Sequence, residues 1–303
     1  MQERDKGTLK YRMATLLPIA AGTGWGIVGL FIRILTDEGF DNITIIFSRN
    51  LSGLLLTVLY LLLFSREEFK MKKRDVPLML MQTVVGSVLM MIVYNIAVVE
   101  LSLSLAAVLL STAPVFVLLI SAVMFNERIT LRKVLCMIGA FLGIAMLSGL
   151  FETAGMKWSM FGLIMGILSM VTNAIWILMS KVIANRGYSS FTVCFYSFLF
   201  TCIMLAPFAD WNMLIGYCTS KPLEAFFVLI IQALITCLLP TAAYIVGMRY
   251  LDAGRVAILE GGAEPTSALL LGIIIYSEIP SVIGFAGMAI TIIALGILAK
   301  SDQ

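Results

Sequence analysis

The sequence predicts an all-α integral membrane protein with ten transmembrane helices, arranged as two inverted repeats of five helices each. Three observations predict this class: the composition, a succession of apolar runs, and a match between the two halves of the chain. Of the 303 residues, 60% are hydrophobic and 13% are charged, whereas soluble domains are about 45–50% apolar and about 25% charged. So little charge cannot cover a soluble globule of this size, which excludes a cytosolic enzyme.

A transmembrane helix needs about 20 predominantly apolar residues, and ten apolar runs of roughly that length follow one another along the chain. The first run lacks an Ala-x-Ala cleavage site and is too long for a signal peptide, so we interpret it as a mature helix. The predicted spans 1 to 10 cover residues 14–35, 43–64, 76–99, 101–125, 134–151, 159–180, 190–209, 225–248, 256–276 and 279–299.

The distribution of Lys and Arg predicts the orientation of the spans. Seventeen of the 21 basic residues lie before span 1, in the loops after spans 2, 4, 6 and 8, or after span 10. Only Arg33, Lys157 and Lys221 lie on the opposite side, and Arg49 lies inside span 2. Because basic loops remain in the cytoplasm, we expect a multi-pass protein of the inner or plasma membrane. Both termini would be cytoplasmic, with residues 1–13 forming the N-terminal segment.

The two halves of the chain match at a nearly constant offset of 150 to 151 positions. The matching features are a Pro-to-Glu segment of equal length in both halves, a tyrosine and a tryptophan: Pro114–Glu127 with Pro265–Glu278, Tyr94 with Tyr244, and Trp25 with Trp176. Each repeat then holds five spans, in residues 14–151 and 159–299. Since five crossings are an odd number, the second copy starts from the other side of the membrane, as in the inverted repeats of secondary transporters.

These features together resemble the EamA-type branch of the drug/metabolite transporter superfamily, over essentially the whole chain. The resemblance is carried by Trp25-Gly26 and Arg33 in span 1, and by the Pro-to-Glu segments that continue as Glu127-Arg-Ile-Thr and Glu278-Ile-Pro-Ser. It implies a ten-helix inner-membrane carrier, often an exporter of amino acids or other metabolites. It also implies a central cavity lined by spans 1, 3, 4, 6, 8 and 9.

Span 9 carries two candidate site residues, Glu260 and Glu264. They lie four positions apart, hence on one helix face with Cβ atoms about 5–6 Å apart. A charged carboxylate is costly inside a membrane, so the pair needs an aqueous or paired environment. The Glu260-Gly-Gly segment departs from the family pattern, and its glycines beside Pro265 predict a bulge or a short unwound stretch.

The two glutamates would bind a cationic group of the substrate or a coupling proton. Alternatively, one or both pair with Arg49, the lone basic residue inside a predicted span, and lock the bundle. Arg49 would in turn either neutralise a span 9 glutamate, which we favour, or hold a substrate carboxylate.

A set of aromatic and polar residues completes the candidate site, because aromatic faces bind cations and flat apolar groups while Asn and Tyr orient a ligand. Trp176 has an alternative role in the interfacial belt, and Tyr94 and Asn95 have one in bonding between helices. The set consists of Trp25, Tyr94, Asn95, Asn173, Trp176 and Tyr244. Three GxxxG patterns are expected to pack helices closely: Gly22/Gly26, Gly139/Gly143 and Gly162/Gly166.

We expect a secondary transporter that moves small polar metabolites (amino acids, amines or derivatives) by alternating access, with export implied by the resemblance. A multidrug or cationic-compound efflux carrier is the alternative, which the 19 methionines would allow. An intramembrane enzyme or a metal site fits less well, because the chain has no histidine and its five cysteines form no CxxC motif. The expected partners are a small-molecule substrate and the lipid bilayer. A proton is the candidate coupling ion and a homodimer the candidate assembly, and we expect no cofactor and no nucleic acid.

Overall fold

The computed structural model describes residues 9–101, 109–110, 112–126, 128–147, 159–276 and 281–299, and the regular structure of these residues is helical throughout. Two short 3₁₀ turns lie between α3 and α4. The α-helices are α1 (Leu9–Gly26), α2 (Val28–Asp37), α3 (Asn42–Phe64), α4 (Val76–Leu80), α5 (Met90–Glu100), α6 (Ala113–Met124), α7 (Leu131–Leu147), α8 (Met160–Asn185), α9 (Ser190–Leu205), α10 (Trp211–Ser220), α11 (Pro222–Ala233), α12 (Leu239–Tyr250), α13 (Ala253–Tyr276) and α14 (Val282–Ala299).

The predicted all-helical membrane class agrees with the structure, whereas the predicted count of ten crossings is not confirmed. Six stretches of the described residues are long and apolar enough to cross a membrane, and three shorter helices are also apolar. The long stretches are Ala14–Asp37, Asn42–Phe64, Lys73–Tyr94, Met160–Asn185, Pro222–Tyr250 and Ala253–Ile275, and the short ones are Ala113–Met124, Ser190–Leu205 and Val282–Ala294. Residues 102–108 of predicted span 4 lie outside the described residues, and α7, which overlaps predicted span 5, carries the charged residues Arg132 and Lys133 in its first turn.

Two stretches of π-helix interrupt long helices at positions that the repeat makes equivalent. One stretch, Met81–Leu89, joins α4 to α5, and the other, Leu234–Leu238, joins α11 to α12. They fall in predicted spans 3 and 8, the third span of each predicted repeat. In a π-helix the hydrogen bonds run from residue i to i+5, and such stretches occur frequently at functional sites. No pattern of residues in these two segments predicts a π-helix.

The expected bulge or unwound stretch near Gly261, by contrast, is wrong. Helix α13 runs without a break from Ala253 to Tyr276 and contains Pro265. Hydroxyl groups supply hydrogen bonds to carbonyls close to the proline: Thr266 Oγ1 donates to Gly262 (2.7 Å), and Ser267 Oγ donates to Glu264 (2.9 Å). These bonds add side-chain donors on both sides of Pro265, and the helix continues through the proline.

Helices α1 and α13 pack closely because α1 presents glycines to its neighbour. A Cβ atom added at Gly22 would lie 2.5 Å from the carbonyl oxygen of Glu260, and one at Gly26 would lie 2.4 Å from that of Glu264. Small residues at such positions let two membrane helices approach backbone to backbone. The structure thus confirms the packing role expected of this GxxxG pattern, and it places α1 directly against the two glutamates.

Helices that the repeat makes equivalent pack in equivalent ways. Helix α1 packs on α12. In the same way α8, the equivalent of α1, packs on α5, the equivalent of α12. Helix α3 packs on α9, and α7 packs on α14, so that each of these two pairs takes one helix from each half. This arrangement is what two related halves facing each other would produce.

Polar ties between loops hold the two halves together at one face of the bundle. Lys133 Nζ lies 2.5 Å from the Asp252 carboxylate, and Asp75 accepts hydrogen bonds from Arg186 and from Tyr188. Burial and the bond to Asp75 raise the pKa of Tyr188, which therefore remains a donor at physiological pH. These loops are the basic ones that the sequence assigns to a common side.

A second group of ties lies among the loops that the sequence assigns to the other side. Lys221 Nζ lies 2.6 Å from Glu38 Oε1, and the Asp210 amide donates to Thr44 Oγ1 (2.8 Å). The hydrogen bond to Glu38 raises the pKa of Lys221, so the ammonium group of Lys221 stays charged at neutral pH. These contacts therefore join loops that the predicted order of spans places on the same side of the membrane.

The close approach of α1 and α13 predicts the effect of adding one methyl group. We expect Gly26→Ala to cost about 1–3 kcal/mol of stability, because its Cβ would overlap a neighbouring backbone that cannot move freely. The matched control is Gly29→Ala, since a Cβ at Gly29 meets no atom within 4 Å. Thermal unfolding in detergent should show a lower midpoint for Gly26→Ala than for Gly29→Ala, and equal midpoints would contradict the packing described.

The tie between Lys133 and Asp252 predicts a local opening when one partner is removed. Lys133 is only 7% exposed, so Asp252→Asn leaves a buried charge without its counter-charge, which is strongly unfavourable. Hydrogen–deuterium exchange at the junction of α12 and α13 should become faster in Asp252→Asn. Adding Lys133→Met should slow that exchange again, because the uncompensated charge is gone. Exchange that stays fast in the double variant would contradict an ionic tie.

Candidate functional site

Two adjoining cavities lie inside the helical bundle. The larger, which we call the apolar cavity, has a volume of about 570 Å³ and is walled mainly by side chains such as Ile32, Phe141 and Ile144. The smaller, which we call the polar chamber, has a volume of about 290 Å³ and is lined by residues such as Arg49, Gln82, Thr83, Ser197 and Thr236. The two cavities share six lining residues: Trp25, Val28, Leu110, Asn173, Glu260 and Glu264.

The two glutamates of α13 lie at the boundary between the cavities. Their spacing of four residues in a continuous helix places both side chains on one face. Glu260 is 9% exposed, whereas Glu264 is exposed and borders both cavities. Gly22 and Gly26 bring α1 against the backbone of the same two residues. The pair is thus enclosed by protein on one side and faces open space on the other.

Three aromatic residues meet beside the acid pair. The ring of Trp25 lies 5.5 Å from that of Trp176 and 5.4 Å from that of Tyr244, and the rings of Trp176 and Tyr244 are 4.7 Å apart. Trp25 and Trp176 come from matching positions of the two repeats. The Trp176 ring packs in this cluster and borders the polar chamber, as expected of a residue of the candidate site.

The remaining predicted residues divide between the two cavities. Tyr94 lines the apolar cavity, and Asn173 borders both cavities. Tyr244 is fully buried within the aromatic cluster, and its hydroxyl has no hydrogen-bond partner. The side chain of Asn95 lies outside the described part of the structure, as do Glu127 and Glu278.

Arg49 projects from α3 into the polar chamber that also holds Glu260 and Glu264. No ion pair among the described residues, at an N···O distance of 4.0 Å or less, includes Arg49. Its Nε atom is buried and has no hydrogen-bond acceptor. The structure thus brings the arginine and the acids into one space without joining them directly.

Sequence reasoning missed several polar residues of this chamber. Gln82 and Thr83 lie on the first π-helical stretch, and Asn50 lies on α3; all three line the chamber. The signal available was a Gln-Thr pair inside an otherwise apolar run, but that pair does not reveal which way it faces. The chamber also takes residues from predicted spans 2 and 7, and the apolar cavity takes some from span 5, beyond the spans that the resemblance implies.

Taken together, this arrangement offers a ligand three kinds of contact. The carboxylates attract a cation, and the neighbouring tryptophan faces add cation–π attraction. The apolar walls accept a hydrocarbon group, and the polar chamber supplies hydrogen-bond donors and acceptors.

Comparisons with known proteins agree with this picture. The pattern of the EamA-like transporter family matches residues 12–149 and 160–299. None of the curated proteins compared with the chain matches it significantly. Among solved structures, one described only as "Crystal structure of protein" matches with a TM-score of 0.74, at 15% sequence identity, over 94% of this chain and 96% of that chain. This likeness shows the fold, and the family match covers both halves of the sequence. The chain belongs to the EamA-like transporter family.

Proposed function

We propose that this protein carries small amines and amino acids, or derivatives of them, across the membrane, with the cationic group of the substrate bound at Glu260 and Glu264. Membership of the EamA-like family makes the protein a membrane transporter. The observation that carries the substrate class is the acid pair, which lies on a helix apolar enough to cross a membrane and lines both cavities together with Trp25. An intramembrane carboxylate marks a substrate or ion pathway by default.

The proposed mechanism is alternating access around this site. Matched packing of the two halves supports an inverted repeat, whose halves would rock about a binding site near the midplane. The ties at Lys133–Asp252 and at Asp75 would close one face and the tie at Lys221–Glu38 the other. In each cycle one group of ties would break while the other holds.

Orientation, direction and coupling belong to the same proposal. The basic loops support cytoplasmic termini and residence in the inner or plasma membrane. Export is the direction that the family resemblance favours. Glu260, the more buried of the two acids, is the proposed proton carrier, while Glu264 faces the substrate.

Efflux of varied cationic drugs is the second candidate function. The apolar cavity favours drug efflux, since its wall includes Met137, Phe141 and Ile144, which flat or hydrophobic cations could contact. Competition separates the candidates: structurally unrelated cations should inhibit transport strongly in a drug carrier and weakly in an amino acid carrier.

Substitution of Glu264 tests the proposed substrate site. In proteoliposomes, Glu264→Gln should lower counterflow of the transported amine or amino acid at least tenfold, because the amide keeps the shape of the side chain but loses its charge. Glu67→Gln is the matched control, since Glu67 is an exposed acid on the first 3₁₀ turn and lines neither cavity. Its flux should equal that of the wild type.

The same assay, repeated over a range of pH, tests the proton. Flux through the wild type should vary with pH, and flux through Glu260→Gln should not. If both glutamine variants keep the wild-type rate and pH profile, the acid pair has no part in transport.

A further inference from the structure

The polar chamber holds an arginine, Arg49, that forms no ion pair with another described residue. A guanidinium group carries a positive charge, and a cation inside a membrane protein normally pairs with an acid or with backbone carbonyls. Here its buried Nε has no acceptor, and none of the ion pairs of the described residues includes it. The Nε–H group of Arg49 therefore remains available to donate to a ligand in the chamber.

Two neighbouring side chains leave further polar atoms unpartnered. Gln82 is 1% exposed and Thr83 is 2% exposed, and Gln82 Oε1 and Thr83 Oγ1 have no hydrogen-bond partner. The amide of Gln82 is oriented by a chain of bonds: its Nε2 donates to Ser180 Oγ (2.7 Å), which itself donates to the carbonyl of Trp176 (2.7 Å). Buried polar atoms are rarely left unpartnered unless a water, an ion or a ligand meets them.

The first π-helical stretch holds these two residues firmly in the chamber. A Cβ at Gly86 would lie 2.7 Å from Cα and Cβ of Trp176, so this stretch and α8 are in direct backbone contact. Gln82, Thr83 and Ser87 of the stretch all line the chamber. The unpartnered atoms therefore lie in a wall of the chamber that packs directly against α8.

The donors and acceptors match the two charged ends of one small ligand. Arg49 and the Thr83 hydroxyl can donate to a carboxylate, and an arginine–carboxylate bond is among the stronger hydrogen bonds. Gln82 Oε1 and the glutamates can accept from an ammonium group. Because Glu264 borders both the chamber and the apolar cavity, a ligand bound there can place its uncharged part in the apolar cavity.

We propose that Arg49 and Thr83 form a carboxylate subsite, so that the protein recognises α-amino acids and not merely amines. The inference rests on the proposed function, since the ammonium group of the same ligand lies at Glu260 and Glu264. It assigns Arg49 to the ligand rather than to a permanent ion pair with a glutamate. It also predicts that an uncharged, apolar side chain suits the ligand better than a charged one.

Matched pairs of compounds that differ only in the carboxylate provide the test. The probes are leucine with 3-methylbutylamine, and phenylalanine with 2-phenylethylamine, each measured by counterflow in proteoliposomes. Arg49→Gln should lower flux of the amino acids at least tenfold and leave flux of the amines within about twofold. Thr83→Val, which has nearly the same shape, should raise the KM for the amino acids several-fold and leave that for the amines unchanged.

The outcomes separate this inference from the proposed function. If Glu264→Gln abolishes transport of both members of a pair while Arg49→Gln spares the amino acid, the acid site stands and the carboxylate subsite is refuted. If wild type carries the amines but neither amino acid, the subsite is refuted as well. If Arg49→Gln does not fold, Arg49→Lys keeps the charge, and a loss confined to amino acids in that variant and in Thr83→Val still supports the subsite. Equal losses for both members of a pair would instead indicate that Arg49 only holds the bundle together.

Discussion

Two carboxylates on a membrane helix must avoid hydrocarbon, and much of this structure follows from that requirement. A charged side chain at the centre of a membrane helix costs about 2.5–3.5 kcal/mol even on insertion scales that give the lowest values. The cost is avoided here because α13 is enclosed on one flank by α1 and opens on the other to a cavity. Gly22 and Gly26 make that enclosure possible, since any larger residue would hold α1 away from the backbone of Glu260 and Glu264. The glycines of α1 therefore determine the surroundings of the two carboxylates on α13.

Around the acids, the cavity is divided by polarity. Apolar walls lie on one side, the chamber with Arg49 lies on the other, and the aromatic cluster of Trp25, Trp176 and Tyr244 stands between the two halves of the chain. A binding site made from both halves can be reshaped when they move relative to each other. The loops that would limit such movement carry the ion pairs, so binding and closure are assigned to different parts of the molecule.

Sequence reasoning predicted the parts of this site that have a regular signature. The spacing of Glu260 and Glu264 indicates a shared helix face, and the matching offset of Trp25 and Trp176 indicates equivalent positions in two halves, which the structure brings into contact. Other parts have no such signature. A Gln-Thr pair in an apolar run does not say which side it faces, and a π-helical stretch changes the angle between successive side chains, so Gln82 and Thr83 were missed. The reverse error arose at Gly261 and Pro265, where glycines beside a proline suggested a broken helix. There the hydroxyls of Thr266 and Ser267 supply hydrogen bonds that the sequence pattern does not reveal.

The central claim is that Glu264 is open to the cavity and covered by the substrate during transport. A hydrophobic carbodiimide, which reacts with protonated carboxyl groups, measures this directly when the modified residues are identified by mass spectrometry in proteoliposomes. We expect a transported amine or amino acid to slow the modification of Glu264 in proportion to its occupancy of the site. Modification of Glu264 at the same rate with and without a compound that the protein demonstrably carries would contradict the account.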